Sequence, residues 1–135
     1  MMDKNAIVEV AGFLRPDHFY EEKNGLVFAA MMTLYEERRP IDLLTISEKL
    51  KASKNFKEVG GAGYLTELTG VVPTSAHVEN YGRIVQEMHA KRELIRAGAN
   101  MTEMAFDTGK NLREILDGAE SNIFAISQED RKSVV

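Results

Sequence analysis

The run Gly60-Gly61-Ala62-Gly63 is the first place to look for chemistry, because backbone N–H groups at a helix start can cradle a phosphate. Phosphate chemistry of that kind also needs a GxxxxGK[ST] tract, whose lysine reaches the terminal phosphates, and the sequence contains none. The run is therefore read as a tight turn with a close helix contact, and these residues are not expected to hydrolyse ATP. Asp17, His18, Glu21 and Glu22 carry metal-donor atoms, but at none of the spacings that zinc sites or hard-cation loops use. Asp17 is expected to cap the helix that follows it, with Glu21 and Glu22 favouring that helix's positive end. No metal ligands are assigned. His77 and His89 are read as surface residues, and no serine has a recognisable histidine base, so no catalytic residue is assigned.

The remaining candidates suit contact between proteins. Glu79 precedes Arg83 by four residues and Glu87 precedes Lys91 by four, the favourable order for helix ion pairs. Arg92 and Arg96 are like charges four apart and are expected to seek an anion outside the helix, whether solvent or an acidic partner. Tyr64, on a short helix, can either fill a junction or offer its ring and hydroxyl to a partner. Tyr81 is read as a core residue. Met31, Met32 and Met88 are read as core fillers, whereas Met101 and Met104 sit where a helical hairpin projects.

The elements that position these residues follow from apolar spacing and from the three prolines. Helices are expected over residues 4–14, 21–38, 43–52, 61–68, 76–106 and 112–127. The second is apolar nearly all round and should run through the core. In the third, Asp42 caps and Leu43, Leu44, Ile46 and Leu50 form the buried stripe. Residues 53–59 form a polar loop with Phe56 as its one buried candidate, and Gly70 is placed to end the short fourth helix. The fifth would be about 45 Å long at 1.5 Å per residue. A compact domain of this size is roughly 35–40 Å across, so part of that helix should project.

Residues 107–111 make a turn that folds the last helix back as an antiparallel hairpin. On the long helix Leu94, Ala97, Met101, Met104 and Ala105 face one way, while Met88, Ile95 and Ala99 face another. The last helix carries one stripe, Leu112, Ile115, Leu116, Ala119, Ile123 and Ile126. One long-helix face can pack on that stripe, and the other is left for a copy of the chain or a different protein. The fold class is all-α: a small helical bundle over residues 1–75, a projecting antiparallel helical hairpin over 76–128, and a tail or linker start over 129–135.

Composition narrows the function classes. The 135 residues are 44% hydrophobic, which suits a folded domain rather than disorder. The start is too polar for a signal peptide, no apolar run is long enough to span a membrane, and the absence of cysteine fits the cytoplasm. A formal charge of −4 argues against direct nucleic-acid binding, which draws most of its non-specific affinity from a basic excess.

Several tracts together resemble the N-terminal domain of bacterial replicative DNA helicases, the DnaB family. They are Leu14-Arg15-Pro16-Asp17-His18-Phe19-Tyr20, Pro40-Ile41-Asp42-Leu43-Leu44-Thr45, Gly60-Gly61-Ala62-Gly63-Tyr64-Leu65, Val72-Pro73-Thr74-Ser75-Ala76, Asn80-Tyr81-Gly82-Arg83-Ile84-Val85 and Lys91-Arg92-Glu93-Leu94-Ile95. The resemblance covers nearly the whole chain, in order. It implies a non-catalytic collar domain above an ATPase motor, with hairpins pairing into dimers and dimers into a ring. It further implies docking of the primase C-terminal domain, and a helicase loader as another partner. No cofactor is implied within these residues, ATP and Mg²⁺ belonging to a motor domain elsewhere. Carried over by residue, oligomerisation falls to Leu94, Ala97, Met104, Ile115 and Ile123, and partner binding to Tyr64, Ile95 and Met101, to which the charge spacing adds Arg92 and Arg96. The family pattern also has a helix ahead of the segment matched by Asn5 to Tyr20, and its absence is expected to weaken ring assembly and primase docking. The alternative is a freestanding helical adaptor that binds helicase or primase without a motor.

Overall fold

Proline, glycine and capping residues punctuate the chain into helices. The computed structural model describes residues 4–71 and 78–132. Among them lie α1 (Lys4–Ala11), a 3₁₀ turn (Pro16–His18), α2 (Glu22–Glu36), α3 (Leu43–Ala52), α4 (Phe56–Val59), α5 (Gly61–Val71), α6 (Val78–Phe106) and α7 (Leu112–Lys132). No strand occurs among the described residues, and no helix there is long and apolar enough to cross a membrane. The tract from Val72 to Ala76, and His77, lie outside the described residues. The chain divides into two units, Met1–Gln86 and Glu87–Val135, a division that falls inside α6 rather than near residue 75.

In the first unit α2 is central, packing on α1, α3, α4 and the 3₁₀ turn. Its Val27, Phe28, Ala30, Met31 and Leu34 are buried, and Leu26, Met32 and Tyr35 pack against the same core. Gly25 is buried where α2 meets the 3₁₀ turn, and a β-carbon there would lie 2.5 Å from the Pro16 carbonyl oxygen. The turn is held locally: His18 is buried and its Nδ1 accepts the Arg15 N–H at 3.1 Å. Asp17 does not cap α2. Pro16 starts a separate turn, in which the Arg15 guanidinium holds the Asp17 carboxylate at 2.9 Å, and Glu21 occupies the α2 cap position without a side-chain bond.

Asp42 caps α3 as expected. Its carboxylate accepts the Thr45 N–H at 2.9 Å, while Thr45 Oγ1 accepts the Asp42 N–H at 3.0 Å. That backbone bond from Thr45 holds the Asp42 carboxyl below its ordinary pKa. The buried stripe is narrower than expected: Ile46 and Leu50 are covered, Leu43 and Leu44 exposed. At about 100° per residue, Leu50 lies about 40° from Ile46 whereas Leu44 lies about 160° away, on the opposite side.

The link between α2 and α3 is closed by charge, Glu37 accepting from Lys49 at 2.7 Å and Arg39 reaching Glu48 at 3.4 Å. The Lys49 bond is the main cause that lowers the Glu37 pKa. The expected polar loop contains a single helical turn, α4, whose Val59 is buried more deeply than Phe56. Gly60 and Gly61 then take φ of 109° and 66°, the left-handed turn that only glycine adopts freely. α5 runs through Gly70 to Val71, so that glycine does not end it. A glycine inside a helix costs only about 1 kcal/mol relative to alanine, which the helix tolerates.

The first turns of α6 close the unit. A β-carbon at Gly82 would lie 2.9 Å from Val10 and 3.1 Å from the Phe13 ring, so glycine sets the approach of α6 to α1. Arg83 stacks 3.7 Å from the centre of that ring. Tyr81, read as core, is 47% exposed, because Gly82 rather than its neighbour points at α1.

The second unit is the hairpin. The Asp107 carboxylate accepts the Gly109 N–H at 2.8 Å and shapes the turn, and Asn111 Oδ1 accepts the Glu114 N–H at 2.9 Å at the start of α7. The turn reverses the chain, and a β-carbon at Gly118 would touch Met104 Sδ at 3.4 Å. α7 continues to Lys132, through residues expected to form a tail, since neither proline nor glycine interrupts residues 119–132.

Candidate protein-interaction surface

Within the hairpin, the two apolar faces of α6 have different fates. Ala97 is buried and Met101 and Met104 are half-buried, so this face is covered within the chain. The face on the far side of the helix is open: Met88 is 50% exposed, Ile95 71% and Phe106 83%. At about 100° per residue, Met88, Ile95, Ala99 and Phe106 fall within an arc of about 40°. Met88 is therefore a surface residue and not a core filler.

On α7 the apolar stripe is wider than the part that is covered. Ile115, Ala119 and Ile126 are half-buried, whereas Leu112, Leu116 and Ile123 lie exposed along one flank of the stripe. Leu94, on α6, is likewise exposed. Of the residues expected on a pairing surface, Ala97 is thus already covered in a single chain, Met104 and Ile115 are partly covered, and Leu94 and Ile123 are open. Two further exposed aromatics, Phe106 and Phe124, had not been singled out. Phe106 continues the Met88–Ile95 face eleven residues, or three turns, beyond Ile95, so its signal was present in the spacing.

The charges of the hairpin are largely settled among neighbours. Lys91 pairs with Glu87 at 3.6 Å. Arg96 pairs with Glu93 one turn earlier, so it does not need an outside anion, contrary to expectation. Arg92 and His89 are half-buried, the latter against its expected surface position. In the first unit Arg83 and Glu79 approach to 3.9 Å, as the spacing required.

Tyr64, also in the first unit, is held from both ends. Its hydroxyl donates to Asn24 Oδ1, and Lys23 Nζ sits 4.2 Å from the ring centre. The side chain is half-buried, and these contacts place it at the junction of α5 with α2.

This arrangement has counterparts among known proteins. The family model for the DnaB-like helicase N-terminal domain matches residues 1–87. The chain belongs to the DnaB-like helicase N-terminal domain family. In three dimensions this DnaB-like domain is similar to the crystal structure of the N-terminal domain of DnaB helicase from Mycobacterium tuberculosis, with a TM-score of 0.85 and 32% identity. That similarity covers 91% of this chain and 87% of the other. By sequence it is 35% identical over 127 residues to the replicative DNA helicase DnaB of Geobacillus stearothermophilus, covering 94% of this chain and 28% of that helicase. It is 36% identical over 114 residues to the Haemophilus influenzae DnaB, covering 84% of this chain and 24% of the relative. The DnaB-like domain thus spans about a quarter of the length of these helicases.

Proposed function

We propose that this chain is the non-catalytic N-terminal collar of a replicative DNA helicase, pairing with copies of itself through the hairpin and docking primase. In this reading its partners are a second copy, the C-terminal domain of the cognate primase and a helicase loader. ATP and Mg²⁺ serve a motor domain outside these residues, and the work is cytoplasmic. The observation that carries the pairing is the open α6 face of Met88, Ile95 and Phe106, in a family whose named members are replicative helicases. Large apolar side chains aligned on one helix face are hidden from water when another protein covers them. Copies of one chain associate most commonly as two-fold pairs, in which the same patch meets itself.

We assign the pairing surface to Met88, Ile95 and Phe106 on the open face of α6, with Leu94, Leu112, Leu116 and Ile123 as further exposed apolar residues of the hairpin. Docking of primase is assigned to the hairpin, with Arg92 and the uncovered part of Met101 as its first contacts. The formal charge of −4 supports work on DNA through partners rather than by direct contact. Light scattering coupled to gel filtration, over a range of loading concentrations, tests the pairing. A mass of two chains or a multiple of two is expected, and a single-chain mass at every concentration would overturn it.

A further inference from the structure

We draw no further inference here: the strongest candidate, the apolar cavity of about 290 Å³ walled by α1, α2 and the first turns of α6 and lined by Ile7, Val10, Phe28, Met31 and Val85, carries nothing because nothing in the structure shows what covers it.

Discussion

Replacing Ile95 with aspartate separates folding from pairing. Ile95 is 71% exposed, so the single chain gains little from its side chain, and the substitution should leave thermal unfolding of the unpaired chain within about 0.5 kcal/mol of the parent. Complete burial of an isoleucine is worth about 1.5–3 kcal/mol, so covering the exposed share yields about 1–2 kcal/mol per copy. A two-fold pair contains the residue twice, which raises the loss to about 2–4 kcal/mol, or about 30- to 700-fold in Kd. That range is a floor, because the new carboxylate must also be desolvated or left facing apolar surface. Sedimentation equilibrium over a wide concentration range reads the Kd directly. A dissociation constant within threefold of the parent, in a protein that still unfolds normally, would show that Ile95 lies outside the pairing surface. Ala97→Asp is the contrasting substitution: Ala97 is buried, so the charge should unfold the hairpin instead of weakening only the pair.

Other expectations follow from the same geometry. Gly25→Ala should destabilise the chain by about 1–2 kcal/mol, because the cost of overpacking against a backbone oxygen exceeds the helix-propensity gain of about 1 kcal/mol. Gly98→Ala, where nothing lies within 4 Å of the added carbon, should instead stabilise by up to about 1 kcal/mol, and urea unfolding reads both signs. Tyr64→Phe removes the bond to Asn24 and should cost about 0.5–1.5 kcal/mol in the same assay without changing the pairing Kd. The folded Asp42 carboxyl titrates below its unfolded value, so its contribution is complete above about pH 4 and is lost as pH falls through the lower folded pKa. Asp42→Asn keeps a cap acceptor and removes that titration, so its unfolding midpoint should fall less steeply with acid than the parent's.

How much could be seen in advance depended on whether a feature was local. The limits of α3 agree with expectation because Pro40, Asp42 and Thr45 act over a few residues, and the capping bonds are their direct product. The central place of α2 was legible because its apolar residues cover most of the helix's circumference, leaving only the side of Glu22, Thr33 and Glu36 to water. The division of α6 into a covered and an open face was also legible, since the α7 stripe can take only one of them. Spacing does not reveal how wide a strip its partner covers, which is why Leu112 is exposed despite its apolar stripe, whereas Leu44 is exposed because it lies opposite Ile46, as the spacing itself gives. Tyr81 is exposed for a related reason, the direction of closest approach being set by its neighbour Gly82. The settling of Arg96 on Glu93 follows from their three-residue spacing, which outweighs the four-residue repulsion between Arg92 and Arg96.

The proposed joining of a helicase ring to primase is tested by gel filtration with light scattering on a mixture of this domain with the C-terminal domain of the cognate primase. The expected result is a co-eluting complex whose mass contains paired copies of this chain plus primase. Separate elution of primase and an unpaired chain at every loading concentration would overturn it.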